Sequence, residues 1–578
     1  MDSVAKIARP QVKKWNIIET PDAQLCLKLA TELGVELPIA KMLIQRGITD
    51  FEAARSFFRP SIEHLHDPML MLDMDKAVER TRKAIENQEG ILVYGDYDVD
   101  GTTAVALMYS FLQTIHQGLL AYYIPDRYTE GYGVSFQGID HAAEKGISLI
   151  IALDCGIRSV DKVNYALDKG IDFIICDHHI PGETIPNAYA VLDPKRNDCP
   201  YPFKELSGCG IGFKLIQALI ANGLSAQDPS VYLDLVALSV AADIVPITGE
   251  NRVLAYFGLQ RINKQAREGI QVLLKSSKEK AQTKDITITD LVFSVAPKIN
   301  AAGRIEHGSR SVEMLITNDR KEAEEIGVLI NQTNMRRRDI DTKMTAEAFA
   351  LIEADQYFAA NKSTVLFQAH WHKGVVGIVA SRVLEKYYKP TIILTQNDGI
   401  VTGSARSIRN FDIHAALSRC ADLLIQFGGH AFAAGMSLKP ENLDAFIARF
   451  ESVAQQQLRE EDLQEVIDID LEISPEEISP KFYRVLKQFA PFGPGNMAPV
   501  FLSKGLRDDG AVRIVGNNHL KLRLGKRGQP CFDAIAFGKS EYYTEFSEGL
   551  PCDVCYTLDE NHWNGRISLQ LNIRDIRI

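Results

Sequence analysis

The chain has 578 residues, too many for one hydrophobic core and enough for about three or four domains. Hydrophobic residues at 46% and charged residues at 24% exclude a disordered or fibrous protein, and no apolar run is long enough to cross a bilayer. Nine scattered cysteines argue against a disulfide framework, and a net charge of −11 decides nothing about nucleic acid, which needs only a local basic footprint.

Residues 1–67 read as a helical segment. Their opening, MDSVAKIARPQVKKW, lacks the apolar middle of a secretory signal, so a cytoplasmic protein without membrane attachment is expected. Residues 68–315 alternate apolar runs (ILVYGD, AYYIP, SLIIALD, DFIICDHH, AYAVLDP) with helical periodicity (TAVALMYSFLQTI, HAAEKG, SVDKVNYALDKG), which predicts an α/β domain on a parallel sheet. Residues 316–358 read as one long connecting helix. At 359–463 the pattern restarts as a second, smaller α/β domain, with strands at STVLFQAH and PTIILT and helices at GVVGIVASRVLEKYYK and DIHAALSRCADLLIQF. From 464 to 578 short alternating runs between glycine turns predict a β-rich barrel of the OB kind. Cys552 and Cys555 form a lone CxxC and read as strand positions rather than a zinc site.

The stretch GDYDVDG sets Asp96, Asp98 and Asp100 so close that a cation or strong donors must neutralise them. A calcium loop would need Glu at its twelfth position, where Leu107 stands. A haloacid-dehalogenase-type reading of DVDGT would need a later lysine and a separate acidic pair. The remaining reading notes that successive strands end in Asp96, in Asp154, and in Asp177, His178 and His179. On a parallel sheet these ends share one edge. Asp243, in the apolar run DLVALSVAADIV, is a further candidate, because an unpaired carboxylate there is costly. Carboxylates mixed with imidazole favour Mn2+ or Mg2+ over zinc, and five or six ligands suit two ions. Two such ions imply hydrolysis at phosphorus.

GDYDVDG, ALDCG, CDHH and AADIV, in that order, resemble the four motifs of the DHH phosphoesterases. WHKGVVGIVASRV, GSARS and GGHAFAAG resemble the DHH-associated domain, and the whole combination resembles the members of the family that digest single-stranded DNA. The resemblance implies a 5′ to 3′ exonuclease releasing mononucleotides in DNA repair and recombination. It makes Asp96, Asp98 and Asp100 the first acidic group, Asp154 the metal bridge, His178 a ligand and Asp243 the closing ligand. His179 then faces the scissile phosphate, with Asp177 orienting a ligand from behind.

The phosphate contacts expected are Arg127, Asn300 and Arg304 (the last two in a small-residue loop), Ser404, Arg406, Gly428, Gly429 and His430. Arginine's planar fork suits phosphate oxygens. By resemblance Ser404 and Arg406 grip a terminal 5′ phosphate, and Arg304, counted with His179 and Asp154 as catalytic, and His430 hold the chain nearer the metals. Tyr128, Tyr132 and Trp371 are candidates either for base stacking or for core. Lys521, Arg523, Lys526 and Arg527 form a local basic face in the C-terminal region. The partners implied are single-stranded DNA, a helicase and a single-strand-binding protein, with the chain a monomer. Two alternatives remain: a family member acting on short oligonucleotides or cyclic dinucleotides, and a non-catalytic DNA-binding replication scaffold.

Overall fold

The five apolar runs between residues 90 and 192 form one parallel sheet, in the order Leu120–Tyr123, Gly90–Gly95, Ile147–Leu153, Asp172–Cys176, Ala190–Leu192. Alternate side chains go to opposite cores. Ile91, Val93, Leu149, Ile151 and Ile174 join one, while Leu92, Tyr94, Ile150, Phe173 and Ile175 join the other. Burial on both faces is why these runs lack polar interruptions. The first strand lies between the second and third, so the winding direction reverses there. Open α/β sheets bind ligands outside the carboxyl ends at such a switch point.

A computed structural model describes residues 13–276, 285–529, 531–563 and 566–578, in which the chain divides into two units. The first, Arg55–Arg338 with Phe489–Met497, holds this sheet. Its central helix Val99–Leu112 is apolar on almost every side and buried against the helices Gly208–Ala221 and Leu233–Ala242. Asp98 caps it, its Oδ1 accepting from the Gly101 amide at 3.1 Å. One expectation fails here: Asn300 and Arg304 lie on a helix, Ala296–Ile305, and not in a loop. Pro297 in the first turn and the alanines that follow favour a helix start and its propagation, so the small residues pack instead of forming a turn.

The second unit comprises Met1–Ala54, Asp339–Gln488 and Ala498–Ile578, of which residues 1–12, including most of the segment read above for a secretory signal, lie outside the described residues. The two units divide within the 35-residue helix Arg320–Ala354. A mixed five-stranded sheet runs Leu424–His430, Ala433–Leu438, Ile400–Arg406, Thr391–Asn397, Thr364–Phe367. The helix expected over DIHAALSRCADLLIQF is shorter, Ile413–Ser418. The segment from Leu424 is instead a strand, paired antiparallel with Ala433–Leu438. Tertiary pairing overrides the helical periodicity of LLIQF. The C-terminal strands form a seven-stranded sheet in which Phe501–Asp508 pairs with both Cys552–Trp563 and His519–Gly525, closing a small barrel.

Near the other end of the chain, the strand Lys14–Ile17 pairs in parallel with Val466–Ile469. Trp15 donates its indole N–H to Asp575 at 2.9 Å and lies under the Arg577 guanidinium, 3.9 Å from the ring centroid. All nine cysteines are free thiols, with Cys552 and Cys555 in strand positions. Among the described residues no helix is long and apolar enough to cross a membrane.

Candidate active site

Four of the five strands of the parallel sheet, all but Leu120–Tyr123, are followed at once by an aspartate at their carboxyl ends. Asp96, Asp154, Asp177 and Asp193 follow Gly95, Leu153, Cys176 and Leu192, and none is more than 1% exposed. Four buried carboxylates on one edge are tolerable only if each has donors or a cation. Asp177 has donors at both oxygens, whereas Asp96, Asp154 and Asp193 each keep one oxygen without a hydrogen bond.

Asp177 is satisfied. It accepts from the Ile157 amide at 2.9 Å, the His178 amide at 2.8 Å and His179 Nδ1 at 2.7 Å. Burial alone would raise its pKa, but the hydrogen bond and charge of His179 hold it below the ordinary carboxylate range. Asp100 is tied just as firmly. Its oxygens take the Gly208 amide (2.7 Å), the Cys209 amide (2.8 Å) and the Ser239 hydroxyl (2.6 Å). Asp100 could have capped the following helix, but the geometry gives that contact to Asp98.

Asp96 and Asp154 differ. Asp96 Oδ2 and Asp154 Oδ1 have no hydrogen bond, nor has either ring nitrogen of His178. His178 Nε2 nevertheless stands 3.1 Å from Asp154 Oδ1, 3.6 Å from Asp243 Oδ2 and 3.7 Å from Asp100 Oδ2. Ligand atoms about 2.1 Å from one octahedral ion stand about 3.0 Å apart at right angles and about 4.2 Å apart across it. The observed separations fall in that window. Two triplets, Asp100–His178–Asp243 and Asp154–His178–His179, each keep their ligand atoms within 4.8 Å. Burial, then the neighbouring carboxylates, raise the pKa values of Asp154 and Asp243 well above the ordinary range, and burial lowers that of His178. A cation reverses both effects. The donor set is hard oxygen with one or two imidazoles, so these residues fit a hard divalent ion.

Local backbone devices deliver the ligands. Asp154 sits in the left-handed region at φ 60°, a strained state for a non-glycine residue. Gly208 must be glycine, because a Cβ there would lie 2.5 Å from the Cβ of Asp154. A small cavity beside the ligands is lined by Asp98, Val99, Asp100, Ala242, Asp243 and Asn300.

His179 is held at both nitrogens, by Asp177 and by the Tyr132 hydroxyl, 3.1 Å from Nε2. Burial would lower its pKa, but Asp177 pushes it up to about 9. Arg127 lies over the Tyr97 ring at 4.9 Å, and the Tyr128 hydroxyl donates to the Arg304 carbonyl. Arg127, Asn300 and Arg304 therefore belong to this region. Trp371 is 3% exposed, with its indole bonded to Glu347, and so is core.

In the second unit, strand register gathers the other candidates. Ser404 is opposite Gly435, which is opposite Gly428, and Arg406 is opposite Ala433, which is opposite His430. Alternation puts these six on one face, where glycine and alanine leave room between the polar side chains. Arg406 Nη1 donates to Ser404 Oγ at 2.9 Å. Gly429 falls on the other face at φ 140°, where a Cβ would meet the Ala433 carbonyl at 2.3 Å, so its necessity is conformational.

Glu130, Ser239 and Asp193 escaped the reading of site residues, and Tyr132 was read only as a stacking or core aromatic. Only the position of Asp193, directly after a strand, could have drawn it in.

The N-terminal domain of the DHH family matches residues 90–240, the DHHA1 domain residues 360–456, and the RecJ OB domain residues 469–575. The single-stranded-DNA-specific exonuclease RecJ of Bacillus subtilis is 37% identical over 98% of this chain and 71% of its own length. Two crystal structures of Thermus thermophilus RecJ, with Mn2+ and with Mg2+, superpose at TM-scores of 0.83 and 0.77 and 27% and 26% identity. Each match covers 98% of this chain, and 79% and 78% of the other.

Proposed function

Since the chain belongs to the RecJ family of DHH phosphoesterases, we propose that it is a metal-dependent exonuclease that removes mononucleotides from single-stranded DNA in the 5′ to 3′ direction. The observation that carries this reading is the convergence of Asp100, Asp154 and Asp243 on His178, with Asp154 Oδ1 and both ring nitrogens of His178 left without hydrogen bonds. In it Asp154, His178, Asp243 and Asp100 hold ions, with Asp96 and Asp98 completing a two-ion site. Mn2+ or Mg2+, when bound, supplies the Lewis acidity and the acidified water that displacement at phosphorus requires.

The protein's own groups do the rest. His179 presents a protonated Nε2 toward the phosphate, with Asp177 accepting from Nδ1–H and so orienting the ring and stabilising its charge. Arg127 and Arg304 neutralise the nucleotide backbone beside it, and Asn300 offers a carboxamide to the same cavity. The face with Ser404, Arg406 and His430 takes a terminal 5′ phosphate, from which the polarity follows. On the barrel, Lys521 pairs in register with Arg513 while Leu520, Leu522 and Leu524 are buried, so the two cations share the outer face where a strand can track. Arg523, two residues on, is paired with Asp509. The reading makes the protein a cytoplasmic monomer in DNA repair and recombination that meets DNA opened by a helicase and covered by a single-strand-binding protein.

The test is digestion of a 5′-labelled single strand, its duplex and the matching RNA, with Mn2+, Mg2+ or chelator. Immediate release of labelled mononucleotide from the single strand alone, abolished by chelator, is expected. Release first from the 3′ end, or equal digestion of the duplex, refutes it.

A further inference from the structure

The loop between the strand Leu120–Tyr123 and the helix Phe136–Glu144 is braced from within. Glu130 Oε1 accepts from the Asp126 amide at 2.7 Å, and its Oε2 accepts from the Ser135 hydroxyl at 2.5 Å and the Tyr123 hydroxyl at 3.0 Å. Asp126 Oδ1 in turn takes the Tyr128 and Thr129 amides at 2.8 and 2.9 Å. Where the loop returns, the Tyr94 hydroxyl donates to the Gly133 carbonyl at 3.0 Å. A surface loop needs none of this to connect two elements; bracing of this density fixes what lies at the apex.

The apex carries Tyr132. Its ring meets Tyr97 and His179 edge-on, with centroids 6.0 and 5.9 Å away, and its hydroxyl reaches His179 Nε2. An imidazole bonded only through Nδ1 can swing about that bond; a second bond at Nε2 removes the swing. With Nε2 protonated as in the proposed function, the Tyr132 oxygen accepts from it, and the hydroxyl's own proton can turn to the Asp154 carbonyl, 3.5 Å away. Stacking on a base would need only the ring; the geometry uses the oxygen.

We infer that Tyr132 is a positioning residue: its hydroxyl, held in place by the Glu130-braced loop, keeps His179 Nε2 where the scissile phosphate arrives and yields that nitrogen when the phosphate binds. The inference rests on the role given to His179 in the proposed function. It predicts a loss in turnover without a loss in metal or substrate affinity.

The experiment compares wild type, Tyr132→Phe, Glu130→Gln and Asp154→Asn on a 5′-phosphorylated single strand with Mn2+. It records kcat, KM and the Mn2+ concentration that gives half-maximal thermal stabilisation. Tyr132→Phe should lower kcat about tenfold, the scale of one well-placed hydrogen bond to a charged group, with KM and the Mn2+ midpoint within about twofold. Glu130→Gln should lower kcat less, and adding it to Tyr132→Phe should cost little more, because both act through one hydroxyl. A Phe variant with wild-type kcat, a loss seen in KM alone, or a Mn2+ midpoint shifted about tenfold each overturns the inference. An Asp154→Asn variant that still digests DNA sinks the metal-dependent reading and this inference with it. A wild-type-like Phe variant in a protein that Asp154→Asn inactivates sinks the positioning role alone.

Discussion

At the sheet edge of the first unit, Asp96 and Asp154 are fully buried and keep oxygens without hydrogen bonds. On the hairpin face of the second unit, Arg406 keeps partial exposure and a hydroxyl partner at 2.9 Å. One region stores uncompensated negative charge out of water, and the other keeps positive charge solvated. The difference follows from what each receives. A small cation can be delivered into a buried cage and must be held rigidly, so desolvation helps it. A phosphate at the end of a flexible chain has to arrive from solvent, where a buried unpaired guanidinium would cost more than the contact returns.

The sharpest way to break this contrast is Asp154→Asn. Activity should fall roughly a thousandfold or more, because several kcal/mol of charge stabilisation are lost. In chelator the variant should melt no lower than wild type, since a neutral carboxamide removes a buried charge; its stabilisation by Mn2+ should vanish. Calorimetry with and without the ion checks both. Arg406→Lys, which keeps the charge and discards the fork, should raise KM about tenfold on a 5′-phosphorylated strand and leave a 5′-hydroxyl strand nearly unchanged. Paired kinetics on the two substrates decide it.

Asp193 sharpens the buried side of the comparison. Burial pushes its pKa up to about 7, one oxygen accepts from the Lys195 amide, and the other has no hydrogen bond. The folded state therefore binds a proton more tightly than the unfolded one. Its contribution is fully present below the ordinary carboxylate pKa and is lost as pH rises through about 7. Asp193→Asn should match wild type near pH 4 and exceed it by on the order of 2 kcal/mol near pH 8, measured by denaturant melts at both. The smallest effect belongs to Lys521→Ala on the barrel. It should weaken binding of long single strands about two- to threefold and reduce the salt slope by about one, with dinucleotide turnover unchanged.

The parallel sheet was legible because both its faces are buried, so its strands are unbroken apolar runs and the aspartates ending them stand out. His178 and Asp243 were legible through their motifs. What escaped depended on distant partners. That Asp100 is tied by amides more than a hundred residues away, and Asp98 instead caps the helix, cannot be read from three aspartates in seven residues. Arg304 was misplaced in a loop because small residues serve equally in turns and in close-packed helices, and only packing decides. The strand Leu424–His430 was hidden by helical periodicity until its partner Ala433–Leu438 was in view. Tyr132 and Glu130 carry no motif of their own; their meaning is a set of hydrogen bonds.

The pairing of Lys14–Ile17 with Val466–Ile469, locked by Trp15 against Asp575 and Arg577, bears on how the protein is made. The opening strand leaves the ribosome first but has no partner until more than 440 residues have followed. At about 5–20 residues per second that is a wait of tens of seconds. The parallel-sheet unit, nearly contiguous in sequence, can fold during the interval, so its buried carboxylates are sheltered before the strand Val466–Ile469 arrives.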